Sequence, residues 1–174
     1  MKRIEIRRHS IRDIPEEHLS VPGVSLASEV GRSRGPFRWV VASPAVRAVE
    51  TAQAMGFPVN TVRESWHDTR GLEWPLSFGE YHALTSVSST AREVARTISE
   101  EISDLLGRLS EDQQALVVTH GGFPEMAVAA TSPREVAERL GPPCRCMEGV
   151  LLSFRRDACV QADALRVPAE RTRI

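Results

Sequence analysis

Trp39-Val40-Val41-Ala42-Ser43-Pro44-Ala45-Val46-Arg47-Ala48-Val49-Glu50-Thr51-Ala52 is the stretch whose reading decides the fold. Four consecutive apolar residues read as a short strand buried on both faces, as strands inside parallel sheets are. Ser43 then supplies an N-cap and Pro44 a first helical position. The pattern predicts a helix running to about Met55 and stopping at Gly56. Arg47 falls in its first turn, where a cation opposes the helix dipole. A bound phosphate would reverse that sign, because helix end and guanidinium would both attract it. The alternative is a solvated arginine paired with Glu50.

Working outward, the same alternation recurs. Ile4 to Arg8 alternates apolar and polar and reads as a strand. A helix is expected around Val24 to Val30, ending near Gly31. Ala115-Leu116-Val117-Val118-Thr119 is a second buried strand, followed by the tight turn His120-Gly121-Gly122 and a short helix from Pro124. The strongest helical period starts at Thr90, where Thr90 and Glu93 match a capping box. Ala91, Val94, Ala95, Ile98, Ile102, Leu105 and Leu109 then recur on one face. Ser132-Pro133 with Glu135 opens another helix, closed by Gly141-Pro142-Pro143. Val150 to Arg155 and Val160 to Val167 suit a terminal hairpin. Alternating strands and helices give an α/β fold, a three-layer sandwich with a largely parallel central sheet and helices on both faces. Residues 57–89 show no sustained period and are expected to form a lid or covering insertion on a single domain spanning 1–174.

Composition bounds the partners. The chain has 174 residues, 41% hydrophobic and 26% charged, with formal net charge −1. Nothing there suggests nucleic acid or an anionic membrane. The start, Lys2-Arg3-Ile4-Glu5, has no apolar leader core, and no run approaches the ~20 residues that span a bilayer. Three cysteines, Cys144, Cys146 and Cys159, fit reduced thiols, so a cytoplasmic location is expected.

Three strand ends carry unusual polar groups: Arg8-His9-Ser10-Ile11-Arg12, Ser43-Pro44-Ala45-Val46-Arg47, and Thr119-His120-Gly121-Gly122. In open α/β sheets ligands bind outside the carboxyl ends of strands, so parallel neighbours would bring these groups together. Arg8 and Arg12 would lower the pKa of His9 and keep it neutral and nucleophilic. The glycines after His120 would let backbone N–H groups approach an anion.

Taken together, Arg8-His9, Ser-Pro-x-x-Arg-Ala-x-x-Thr-Ala over 43–52 and Val118-Thr119-His120-Gly121-Gly122 resemble the histidine phosphatase superfamily, the phosphoglycerate-mutase-like proteins. Cys146-Met147-Glu148-Gly149-Val150 is similar to the family's last core strand, and Ser10 stands where the family has glycine. The resemblance implies a phosphatase with His9 as nucleophile and His120 as its partner. Arg8, Arg12, Arg47 and Gly121 would bind phosphate, without metal or cofactor. It implies a glutamate proton donor after the second helix, best matched by Glu64, with Asp68 and Glu73 as competitors and Glu80 behind them. A chain with no acid at all would resemble the small protein-histidine phosphatases. The expected substrate is a phosphorylated small molecule, with a phosphoprotein as alternative. A mutase would need insertions absent here, and an inert phosphate-binding module would not need an intact histidine pair. Trp66, Trp74 and Phe78 could stack on substrate or simply pack the covering segment. His18, His67 and His82 lack a supporting constellation.

Overall fold

The structure, a computed structural model, describes residues 1–171. Six strands form one sheet: β1 (Lys2–Arg8), β2 (Trp39–Ala42), β3 (Thr61–Val62), β4 (Gln114–Thr119), β5 (Gly149–Arg155) and β6 (Ala158–Leu165). Their spatial order is β3-β2-β4-β1-β5-β6. The half from β3 to β1 is parallel, and β5 and β6 close the other edge antiparallel. The helices are α1 (Val21–Gly31), α2 (Val46–Ala54), α3 (Phe78–Val87), α4 (Ser89–Arg108), α5 (Phe123–Thr131) and α6 (Arg134–Leu140).

The sheet is covered on both faces because its central strands are apolar on both. In β4, Ala115 and Val117 point to one side and Leu116 and Val118 to the other. The first side packs on α4 and α5 through Ile98, Ile102, Leu105, Phe123 and Met126, all buried. The second packs on α1 and α2 through Leu26, Ala27, Ala48 and Ala52. Gly23 lets α1 lie against the chain that leaves β1: a Cβ there would stand 2.0 Å from the Ile11 carbonyl oxygen. The hairpin turns at Arg156-Asp157, both left-handed (φ 48° and 63°), as a two-residue turn between twisted strands requires.

Three local expectations are corrected. α2 begins at Val46 with Ala45 as its uncapped boundary, so Ser43 is not its N-cap. The Ser43 hydroxyl is engaged with histidines instead. Residues 57–89 contain β3 and the ten-residue α3, which opens with a capping box between Ser77 and Glu80. Trp66, Phe78 and Tyr81 from this segment are core residues, 0%, 0% and 1% exposed. Finally, Ser88 caps α4, accepting from the Ala91 amide, so the helix starts one residue before Thr90. Glu93 is left free to pair with Arg70.

Candidate active site

The parallel register places the three strand ends side by side. Arg8 stands opposite Thr119, and Ala42 opposite Val118. The pairing continues one residue further: the His9 amide donates to the Thr119 carbonyl at 2.7 Å, and the Ser43 amide to the Val118 carbonyl at 2.9 Å. His9 and Ser43 are therefore fixed by sheet hydrogen bonds rather than by loop conformation, and His120 is the residue that follows Thr119 at the end of β4.

The His9 ring is 7% exposed. Its Nδ1 lies 2.7 Å from the Ser10 carbonyl oxygen, which can only accept, so the proton is on Nδ1 and the Nε2 lone pair faces outward. Burial first, then the charges of Arg8, Arg47 and Arg12, push its pKa down to about 3, against the Ser10 hydrogen bond. Ser10 is itself anchored, with its hydroxyl donating to the Gly23 carbonyl at 2.7 Å and its amide to Thr51 Oγ1 at 3.0 Å. The Ser10 hydroxyl thus ties the His9 loop to α1, and the Ser10 amide ties it to α2.

Arg47 lies between the histidines. Its Nε donates to His9 Nε2 at 3.1 Å and its Nη2 to His120 Nδ1 at 3.2 Å. Both rings must then present bare nitrogens, and in His120 the proton is left on Nε2. That nitrogen is 2.7 Å from Ser43 Oγ. Burial, His9, Arg47, His67 and Arg8 together hold the His120 pKa down at about 3. The rings meet edge-on, 5.3 Å between centroids. Glu50 does not pair with Arg47; it accepts from the Leu19 amide and bonds His18.

Arg8 lies under the rim, its guanidinium 4.3 Å from the centre of the Trp74 ring. Trp74 is 44% exposed and rests on Gly121, where a Cβ would stand 2.3 Å from the indole Nε1. Gly122 has φ 91°, and its amide donates to Glu125 Oε2 at 3.1 Å, so that N–H serves the turn. Glu125 is fully buried and also accepts from the Cys144 amide. Burial pushes its carboxyl up, opposed by those N–H donors. This glutamate fixes the turn that carries His120, and its place three residues after Gly122 is the cue the sequence offered.

Two further residues join the site without having been expected there. Glu17 bridges Arg12 and Arg47, 2.6 Å from Arg12 Nη1 and ion-paired with Arg47 Nη1. His67 Nδ1 is 3.2 Å from both Ser43 Oγ and His120 Nε2. His67 follows the short strand β3, so its signal is the one shared by the other sites: a polar residue just past a strand end.

Glu64 is exposed on a 3₁₀ turn (Glu64–Trp66), lining a separate cavity with Asp68, Arg70 and Thr97. Among the described residues no hydrogen bond or ion pair joins Glu64, Asp68 or Glu73 to His9, Arg47 or His120. Asp68 caps the Arg70 amide, and Glu80 closes the α3 capping box. The three cysteines are free thiols. Among the described residues no group of three His, Cys, Asp or Glu side chains could hold a metal ion, and no helix is long and apolar enough to cross a membrane.

No family model and no curated protein matches the chain. Solved structures do. A mycobacterial glucosyl-3-phosphoglycerate phosphatase, solved with VO3, aligns over 94% of this chain and 98% of its own at TM-score 0.65 and 21% identity. A putative alpha-ribazole-5'-P phosphatase from Escherichia coli aligns over 96% and 98%, at TM-score 0.61 and 13% identity. Phosphoserine phosphatase from Entamoeba histolytica, solved with phosphoserine, aligns over 94% and 97%, at TM-score 0.59 and 16% identity. The chain shares the phosphoglycerate-mutase-like fold of these solved structures.

Proposed function

We propose that this protein is a metal-independent phosphatase that hydrolyses a phosphomonoester through a phosphohistidine on His9. The observation that carries the reading is the His9 ring. Its Nδ1 proton is committed to the Ser10 carbonyl, and its Nε2 lone pair faces the Arg47 guanidinium at 3.1 Å. A nucleophilic nitrogen aimed at an anion-binding arginine is what in-line attack on phosphorus requires.

In the reaction the phosphoryl group takes the position between the rings, and Arg47 turns its donors onto the phosphoryl oxygens. Arg8 and Arg12 add positive charge from the same strand end, and His120 gains a second proton, on Nδ1, once the bound dianion offsets the surrounding cations. Each preorganised donor of this kind is worth on the order of 10²–10³ in rate. His9 Nε2 attacks, the ester oxygen departs, and water then cleaves the N–P bond. Two solved phosphatases share the fold, one holding VO3 and the other phosphoserine, which supports the chemistry. The expected substrate remains a phosphorylated small molecule or a phosphoprotein, in a cytoplasmic setting.

The test is p-nitrophenyl phosphate hydrolysis in EDTA, wild type beside His9→Ala. Turnover that survives the chelator and disappears in the variant is expected. Turnover abolished by EDTA and restored by a divalent ion, or undiminished in His9→Ala, would overturn the reading.

A further inference from the structure

We propose that the cleft between the C-terminal end of α1 and residues 166–171 is a second anion site, in which Arg7 and Arg34 hold a compact oxyanion of the phosphate class. None of His9, Arg12, Arg47 and His120 lines this cleft. Alternation along β1 would leave Glu5 and Arg7 facing water, since Ile4 and Ile6 point to the opposite face. Glu5 and Arg7 are instead 2% and 1% exposed, on the face that α1 and α2 cover.

A buried guanidinium needs partners for its charge and for each of its donors. Arg7 Nε donates to Glu5 and Nη1 to the Met147 carbonyl. Its Nη2 is buried with no partner among the described residues. Arg34 reaches the same carboxylate, with Nη1 4.0 Å from Glu5 Oε2, and its Nε is likewise buried without a partner. Two guanidiniums therefore share one buried carboxylate, and each keeps a donor with nothing to meet. Buried donors are nearly always satisfied, so the pair marks a place for an acceptor. A bound anion would supply both the acceptor atoms and the missing negative charge.

The cleft has room for it. Arg7, Leu26, Val30, Arg34 and Arg166 border a space of about 380 Å³. Its other charges are already engaged or exposed. Arg171 is ion-paired with Glu29, and Arg166 bonds Glu148 and the carbonyls of Leu140, Pro142 and Pro143. Glu170 is exposed. Arg7 is held at Nε and Nη1, so its remaining donor is fixed before any ligand arrives. Guanidinium donors match the oxygens of a phosphate group, which selects an oxyanion over a halide.

The experiment follows thermal unfolding with and without inorganic phosphate in Arg12→Ala/Arg47→Ala, which removes two anion-binding side chains of the His9 site. A ligand that binds only the folded chain raises Tm as its concentration passes its dissociation constant. Phosphate is expected to raise Tm in this background. Adding Arg34→Gln is expected to weaken the binding roughly 10-fold or more, as loss of a charge-assisted hydrogen bond implies. Adding Glu5→Gln instead is expected to tighten it, because that carboxylate competes with the ligand for both arginines. The two variants differ in sign, which a merely loosened fold would not produce. A response to inorganic phosphate identifies the free ion as ligand, and a response to glycerol 2-phosphate alone identifies a phosphate carried on an organic group. No rise with either, a rise matched by sodium chloride at equal ionic strength, or a rise undiminished by Arg34→Gln would overturn the assignment. None of these outcomes depends on turnover, so the proposal and the phosphohistidine reading stand or fall separately.

Discussion

Replacing Glu17 by glutamine should make the empty site bind phosphate more tightly. The Glu17 carboxylate holds Arg12 and Arg47 at once, so an incoming phosphate must break two ion pairs before it can use either guanidinium. The Glu17 side chain is 52% exposed, against 38% for Arg12 and 16% for Arg47, so both pairs are open to solvent at the carboxylate end. Such pairs contribute roughly 0.2–1 kcal/mol each. Two of them put the competition at about 0.4–2 kcal/mol, or roughly 2- to 30-fold in dissociation constant. Glutamine keeps the size of the side chain and removes its charge. The assay is titration calorimetry with inorganic phosphate, repeated at low and high salt. Tighter binding in Glu17→Gln, with the gap narrowing as salt screens the exposed pairs, is expected. Unchanged or weaker phosphate binding would refute the idea that this carboxylate stands in the anion's place.

Two further outcomes follow from burial. The pKa values of His9 and His120 are held near 3, whereas an unfolded histidine titrates near 6.5. The unfolded chain therefore binds more protons between those values, and stability is retained above pH ~6.5 and lost as the pH falls toward 3. By pH 5 the loss is at most about 2 kcal/mol for each histidine. Denaturant unfolding at pH 7 and 5 reads it, and His9→Ala should flatten the slope; an equal slope in the variant would contradict the shift. Trp66 is fully buried against Phe123, so Trp66→Ala should cost roughly 3–5 kcal/mol, read as a lowered Tm. A loss below 1 kcal/mol, on the order of an exposed-site change, would show that the segment packs only superficially.

The parallel half of the sheet was legible because its strands are continuous apolar runs, and such runs end where the sheet does. Val40 to Ala42 and Ala115 to Val118 are each buried on both faces, so the polar residues that follow them could be placed at one edge. The convergence of His9, Arg47 and His120 was legible this way. The errors share a cause, which is that a polar side chain's partner is set by tertiary contact. Ser43-Pro44 reads locally as a helix start, yet the Ser43 hydroxyl is taken by His120 and His67 across the site. Thr90 and Glu93 match a capping box, yet Ser88 was the better-placed cap. The α3 helix showed no period because only Phe78 and Tyr81 of its ten residues are buried. Glu17 and His67 lie in segments without regular pattern and reach the site only because those segments fold back over it. Glu64 was favoured by its position after α2 and β3; it lies on an exposed turn, and His67 from the same segment is the residue in contact with Ser43 and His120.

The central claim is most directly tested by trapping the intermediate. Wild-type protein mixed with a phosphorus-labelled substrate and quenched in alkali should retain label as an alkali-stable, acid-labile phosphohistidine that maps to His9, and His9→Ala should retain none. Turnover with no such adduct on His9, or an adduct stable to acid and carried by another residue, would contradict it.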